Sequence, residues 1–519
     1  GNQENVESRL IMQENRTKNS IVNICFSLGF QLVTLVLGFV NRTVFLQCLG
    51  VEYLGVSGLF SDILSMLSLA DLGFGTAMTF SMYKPLAEKD YTKLAGLVQL
   101  YKKIYRFIAL TVLTVGTALI PFLQYLVNLP ENLPLIKVYY LLYLANTVSS
   151  YLVVYKTSIL SADQKEYVLN KYRSIFSIAQ TVCMTLFLWI THSYVVYLCV
   201  QVFFTYSQNF FCSHVAEKQY PYINQKVELP KGEIQVIFKT VGSVFLYKVS
   251  SVILNATDNT LISVLLGTTV VGFYSNYTLI INKLTNIVNT VFYSLTASLG
   301  NLIVKENEEK RYHIFLAMQS VSMVLSTVCV SGVFFLISDF VRLWLGSKYV
   351  LSELVLLAVV CNLYFAISLL PIWVFREATG LYRKTKYVML ATAVINLILS
   401  VILGKIIGLA GIIFATAIAR LTTYFWYEPY LLFRNYFGQS CSVYFKGVLK
   451  SIVTTLCILA IEYICVGTFH PTGWIFWIAK AIFVCGVSFL CVFALYGKSE
   501  GFQIILGKVR KCLPQNMRR

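Results

Sequence analysis

Apolar stretches of about 20 residues or more follow one another along nearly the whole chain, separated by short polar segments, which is the pattern of successive membrane-spanning helices. They predict about fourteen helices, roughly 20–48, 53–82, 93–125, 134–160, 168–190, 193–213, 234–265, 270–299, 308–337, 350–377, 386–404, 408–434, 443–466 and 473–496. The short alternating segments of a membrane β-barrel are absent. The expected fold class is therefore all-α, a polytopic membrane protein.

Within this apolar background, polar positions recur at helical spacing. Gln31–Gly55, QLVTLVLGFVNRTVFLQCLGVEYLG, returns 217 residues later as KVSSVILNATDNTLISVLLGTTVVG, Lys248–Gly272. Leu49-Gly50 and Gly55 fall on Leu266-Gly267 and Gly272 without a gap, and Gln31, Thr34, Gly38 and Asn41 fall on Lys248, Ser251, Asn255 and Asp258. Steps of three and four residues put each set along one side of its helix. The offset persists where AEKDYTK (87–93) meets VKENEEK (304–310), and becomes 220 where Tyr155-Lys156 meets Phe375-Arg376. The expected organisation is an N-terminal lobe, 1–213, of helices 1–6; a polar cytoplasmic linker, 214–233; a C-terminal lobe, 234–434, of helices 7–12; and two extra helices with a basic cytoplasmic tail, 435–519. A repeated, polar-striped set of membrane helices is the plan of a transporter.

Charge and composition narrow the class. Only 13% of the 519 residues are charged, against roughly 25% in soluble proteins, and 57% are hydrophobic. The net charge of +18 first suggests nucleic acid, but the basic residues are scattered through short loops and form no continuous patch, so no nucleic-acid partner is expected. With the N-terminus inside, the inner loops carry Lys84, Lys89 and Lys93; Lys165, Lys171 and Arg173; Lys218, Lys226 and Lys231; Lys305, Lys310 and Arg311; and Arg383, Lys384 and Lys386. Both termini are basic as well, whereas the outer loops carry only Arg342, Lys348 and Lys405. This asymmetry places both termini in the cytoplasm. The outer connections (126–133, 191–192, 266–269, 338–349, 405–407 and 467–472) are too short for an external domain that could host an enzymatic reaction. The thirteen cysteines form no CxxC pair and the four histidines are isolated, so neither a metal site nor a cofactor is expected. About twenty polar residues precede the first apolar run, and no cleavable signal peptide is expected.

An ionisable side chain at mid-membrane depth costs about 2.5–3.5 kcal/mol on insertion scales. Lys102, Lys103, Lys156 and Arg376 lie near the cytoplasmic face, where snorkelling or internal ion pairing accounts for them, as it does for Glu428 and Glu462. Arg42, Lys248, Lys283 and Arg420 lie deeper and call for a water-filled cavity. The polar sides around them carry Gln31, Asn41, Asn255, Ser275, Thr278, Asn282, Asn286 and Asn289. Such amides and hydroxyls hold sugars, or they hold helices together.

The segment FVNRTVFLQCLGVEYLGVSGLFSDILSMLSLADLGFGTA, Phe39–Ala77, resembles the N-terminal signature of Wzx-type polysaccharide flippases: an arginine in the first helix, a Leu-Gly turn, Tyr-Leu-Gly, then Asp-Leu-Gly-Phe. SADQKEYV (161–168) and GLYRKTKYV (380–388) look like the paired loops of that family after its fourth and tenth helices. The resemblance covers essentially the whole chain. The superfamily, the multidrug/oligosaccharidyl-lipid/polysaccharide (MOP) exporters, also holds MATE antiporters and MurJ-type lipid II flippases. The resemblance implies a MATE-like pair of six-helix lobes in the bacterial cytoplasmic membrane, working by alternating access. It also implies a lipid-linked substrate, undecaprenyl-pyrophosphate oligosaccharide, moved from the inner to the outer leaflet for capsule, O-antigen or exopolysaccharide. Expected partners are membrane lipids, a polysaccharide polymerase with other assembly proteins, and H+ or Na+. The first helix departs from the antiporter pattern, because it carries no carboxylate. A lipid II flippase differs only in the head group. A drug/cation antiporter predicts an anionic or apolar cavity with a critical carboxylate, and the cationic intramembrane excess here counts against it.

A pyrophosphate losing its hydration needs cations, and arginine can donate two parallel hydrogen bonds to it. The expected anion-binding set is therefore Arg42, Lys248, Lys283 and Arg420. Asp62, Asp71 and Asp258 are the candidate cavity carboxylates for ion coupling. Gln31, Asn41, Asn255, Asn282 and Asn286 are the candidate polar lining, and Arg106, Lys156 and Arg376 stand at the inner mouth.

Overall fold

A computed structural model describes residues 29–68, 74–128, 133–163, 165–293 and 307–504. Asp71, Lys305 and the basic residues before 29 and after 504 lie outside the described residues. No strand occurs among the described residues. The helices are α1 (Gly29–Cys48), α2 (Val51–Leu67), α3 (Phe74–Glu88), α4 (Tyr91–Ala118), α5 (Ile136–Tyr151), α6 (Val154–Ala162), α7 (Glu166–Thr191), α8 (Tyr194–Gln219) and α9 (Lys231–Ala256). They continue with α10 (Asp258–Leu266), α11 (Thr268–Tyr293), α12 (Glu308–Leu345), α13 (Glu353–Ser368), α14 (Leu370–Thr379), α15 (Tyr382–Thr422), α16 (Tyr424–Leu432), α17 (Cys441–Val466) and α18 (Trp474–Tyr496).

Nine helices among the described residues are long and apolar enough to cross a membrane, or ten if α13 and α14, bent by 43°, form one span. The chain is a multi-pass membrane protein. Length and hydropathy do not by themselves reach the expected fourteen. One of the nine, Lys384–Phe437, is a hairpin: Ile407 and Gly408 leave helical geometry, and across that turn Asn396 Nδ2 donates to Thr416 Oγ1 at 3.0 Å while Thr392 and Thr423 hydroxyls meet at 2.6 Å. Residues 31 apart on a straight helix would be separated by about 46 Å at ~1.5 Å per residue. Apolar side chains such as Ile464 and Ile475, 85% and 82% exposed, suit a surface that meets lipid tails.

The chain divides into two compact units. Unit 1 holds residues up to Gly50, Gly75–Ile120 and Pro134–Ile234; unit 2 holds Val51–Phe74, Pro121–Leu133 and Gln235 onward. In unit 1, α7 pairs with α8, and α5 lies on α4 and α8. The segment after α8 folds back on α4, where Gln99 Nε2 donates to Ile223 O at 3.3 Å and Lys93 Nζ meets Glu233 Oε1 at 2.7 Å. In unit 2, α12 carries polar side chains toward α17 and α18. Thr327 meets Thr455 at 2.9 Å, Glu462 accepts from Ser331 and from Ser488, and Lys480 Nζ lies 2.8 Å from Asp339 Oδ2. Each is a contact between groups that lipid could not satisfy.

Three local features recur at an offset of 217. Asp90 caps α4 by accepting from Lys93 N at 2.9 Å, and Asn307, 217 residues on, caps α12 by accepting from Lys310 N at 3.1 Å. Gly50 and Gly267 both take positive φ, 94° and 108°, a conformation that an L side chain resists. The break between α5 and α6 at Leu152 recurs between α13 and α14 at Leu369, again 217 residues later.

Repeat-related Gly55 and Gly272 meet where α2 packs extensively on α11. A Cβ on Gly272 would strike the Val51 carbonyl and stand 3.1 Å from Gly55 N, so backbone rather than a flexible side chain would have to move. Gly272→Ala is expected to cost about 1–3 kcal/mol as overpacking. Thermal unfolding of the detergent-solubilised variant reads it, and Gly242→Ala, which meets nothing within 4 Å, is the control.

Candidate functional site

The break after α9 builds the main site of unit 2. Thr257 ends one helix and Asp258 begins α10, whose first amides lack partners within their own helix. No side chain of Thr257 caps them. The cap comes from α2 instead: Asp62 accepts from Asn259 N at 3.0 Å and from Asn259 Nδ2 at 3.1 Å. A carboxylate at a helix N-terminus also meets the positive end of the helix dipole.

Beside this break lies a cavity of about 290 Å3 whose polar lining is Asn255, Asp258, Tyr274, Thr278, Asn282, Thr285, Asn362, Thr416 and Arg420. The α11 residues of this set stand four, four and three apart, so they share one face. Arg420 and Thr416 come from the last turns of α15, and Asn362 interrupts the apolar run of α13. Asn362 fixes its amide by donating to Ile413 O at 2.6 Å. Asp258 interacts electrostatically with both Asp62 and Arg420. Asp258 Oδ1, Asn362 Oδ1 and Arg420 Nε are buried without a hydrogen-bond partner among the described residues. The site therefore offers one cation, one carboxylate facing another, and a ring of neutral hydrogen-bonding groups.

Unit 1 surrounds Arg42 with tyrosines. Asn41 Nδ2 donates to Thr185 Oγ1 at 2.8 Å, and Tyr197 Oη donates to Asn41 Oδ1 at 3.0 Å. Tyr143 and Tyr194 hydroxyls meet at 3.1 Å, and Phe45 packs edge-on against Tyr194 and Tyr197. Arg42 interacts electrostatically with Tyr197 and Tyr143.

Of the four expected anion-binding residues, Arg420 lines the unit 2 cavity, Lys248 and Lys283 stand half-buried on α9 and α11 outside that lining, and Arg42 belongs to unit 1. Asn255, Asp258 and Asn282 line the cavity; Asp62 stands outside the lining and bonds Asn259, the neighbour of Asp258; Asn286 is exposed further along α11; Gln31 is half-buried near the start of α1. Lys156 pairs with Glu217, both about three-quarters buried, and Arg106 is exposed on α4. Arg376 does not snorkel: its NH1 lies 2.9 Å from Glu428 Oε1, with side chains 10% and 3% exposed. Tyr274, Thr285, Asn362, Thr416 and the tyrosines of unit 1 are not among the residues expected from the sequence. Tyr274 and Thr285 continue the α11 spacing that marked Thr278 and Asn282, and Thr416 stands one turn before Arg420.

Residues 20–299 match the family described as "Polysaccharide biosynthesis protein". None of the curated proteins matches by sequence. Among solved structures, a lipid II flippase MurJ in an inward closed conformation is similar at a TM-score of 0.67, with 19% identity over 91% of this chain and 98% of that one. An inward-facing multidrug resistance MATE family transporter of the MOP superfamily gives a TM-score of 0.56 at 13% identity, covering 76% of this chain and 93% of that one. A point mutant of the Vibrio cholerae MATE transporter VcmN gives 0.51 at 16%, covering 79% and 95%. At these identities the likeness is one of fold.

Proposed function

The chain belongs to the polysaccharide biosynthesis protein family of the MOP superfamily, and from that membership we propose that it is a flippase for an undecaprenyl-pyrophosphate-linked oligosaccharide. It carries the head group from the inner to the outer leaflet of the cytoplasmic membrane by alternating access, supplying capsule, O-antigen or exopolysaccharide assembly. The observation that supports this most is the unit 2 cavity, where Arg420 stands among amides and hydroxyls. A guanidinium suits phosphate, and neutral groups suit sugar hydroxyls. Arg42, in its tyrosine surround, serves as the second anion-binding arginine. Asp62 is the carboxylate through which a proton or sodium ion couples to resetting.

Electrical work runs in the proposed direction: each negative charge moved outward across an inside-negative membrane gains about 2.3 kcal/mol per 100 mV.

The test is equilibrium binding of purified undecaprenyl-pyrophosphate oligosaccharide to the full chain, beside Arg42→Ala. Saturable binding that weakens about tenfold in the variant, the worth of roughly one charge-assisted hydrogen bond, is expected. Binding of an organic cation but of no lipid-linked sugar would overturn the reading in favour of an antiporter. A preference for lipid II over the linked oligosaccharide would move the substrate to cell-wall precursor.

A further inference from the structure

Three to four turns in from the end of unit 1 where α4 begins lies a concentration of positive charge that its fold does not need. Arg106, Lys156 and Lys226 all act electrostatically on Lys102, and among the described residues Glu217 is the carboxylate that acts on Lys102 against them. The Lys102 and Lys156 ammonium groups lie 6.0 and 5.8 Å from the centre of one ring, Tyr155. Four cations against one carboxylate leave a surplus of three. The nearby charges cancel, since Lys103 pairs with Glu228 at 3.6 Å and Lys93 with Glu233 at 2.7 Å. Packing of Val227 and Leu229 near Gly96 pins the segment that brings Lys226 to the cluster.

The repeat separates what the architecture requires from what has been added. Unit 2 keeps the interhelical pair, with Arg376 and Glu428 in place of Lys156 and Glu217. It adds a second carboxylate, Glu377, 3.2 Å from Arg376 NH2. At the offset of 217 fixed by the Asp90 and Asn307 caps, Lys102 and Arg106 correspond to Gln319 and Met323, both buried in helix packing. Unit 2 thus builds the same turn of the fold with a net charge of the opposite sign. Mutual repulsion of Lys102, Arg106, Lys156 and Lys226 costs stability unless an anion comes to them.

We propose that Lys102, Arg106, Lys156 and Lys226 form a capture site for the pyrophosphate group of the lipid-linked substrate on unit 1. The proposal rests on the flippase reading above, and the loop charges place this end at the cytoplasmic face. Arg106 and Lys226 are exposed and Lys102 is half-buried, so a head group at the membrane surface can reach them. Lys156, held by Glu217, supplies the fixed rear wall.

The experiment uses the full chain in nanodiscs of phosphatidylcholine, with undecaprenyl pyrophosphate as probe and phosphatidylglycerol as competitor. The variants are Lys102→Gln/Arg106→Gln and the charge-conserving Lys102→Arg/Arg106→Lys. Support is saturable wild-type binding that falls with added salt, weakens at least about tenfold in the Gln pair and persists in the exchanged pair. Equal binding by wild type and the Gln pair overturns the capture site and leaves the flippase reading standing. Absence of wild-type binding overturns both. Displacement by phosphatidylglycerol at equal concentration overturns the pyrophosphate assignment in favour of a general anionic-lipid surface. Melting temperatures of both variants within a few degrees of wild type establish that binding, not folding, has been read.

Discussion

Glu428→Ala is expected to destabilise unit 2 by about 3–5 kcal/mol, the cost of leaving a buried cation without its partner. The Arg376 side chain is 10% exposed, its NH1 lies 2.9 and 3.2 Å from the two Glu428 oxygens, and its guanidinium faces the rings of Tyr247 at 5.3 Å and Trp373 at 6.0 Å. Glu377 retains one contact at 3.2 Å, but its side chain is 38% exposed and it compensates only in part. The short α14 gives Arg376 no way out. Pro371 starts that helix after the break at Leu369, and Phe375 beside Arg376 is fully buried in the aromatic core with Phe315 and Phe437. Thermal unfolding of the solubilised variant reads the loss. Replacing both partners, as Arg376→Met/Glu428→Leu, is expected to recover most of it, because no charge is then stranded. Glu217→Ala is expected to cost much less: Lys156 is 20% exposed on a flexible stem and can turn its ammonium to water. Equal losses from Glu428→Ala and Glu217→Ala would mean that burial does not distinguish the two pairs.

The contrast between these pairs also marks what sequence could and could not tell. An offset of 217 put Asp90 on Asn307 and the Leu-Gly turn of Gly50 on that of Gly267, because each feature is local and leaves a local signature, whereas 134–160 and 350–377 read as unbroken helices and the structure breaks them at Leu152 and Leu369. Thr257 carries no such signature: that break is held by Asp62, 197 residues away from Asn259. Partners at such distances are invisible to spacing. The same is true of Arg42, whose neighbours Tyr143 and Tyr197 stand on other helices, one of them bonded to Asn41 across 156 residues. Depth in the membrane flagged Arg42 and Arg420 as costly. It could not say that Lys248 and Lys283 stand outside the cavity lining, since helical phase on a long apolar helix fixes a side but not what packs against it.

Arg420→Ala is expected to lower the rate of head-group translocation about 100-fold, corresponding to roughly 3 kcal/mol for a charge-assisted, two-point contact with phosphate. The competing role is that of a structural counterion, for Asp258 and Asp62 share the same region and Asp258 feels both Arg420 and Asp62. The two roles separate in a double variant. If Arg420 only balances Asp258, then Arg420→Ala/Asp258→Asn removes both charges, relieves the stranded carboxylate and restores transport. If Arg420 binds the substrate, the double variant is as slow as Arg420→Ala, and Arg420→Lys retains part of the rate as a point charge without the second hydrogen bond. The second pattern is expected, because Arg420 Nε has no hydrogen-bond partner among the described residues and so is not committed to Asp258 through that atom. A proteoliposome assay that follows a fluorescent undecaprenyl-pyrophosphate oligosaccharide from one leaflet to the other supplies the rates, and recovery in the double variant would reduce Arg420 to a counterion.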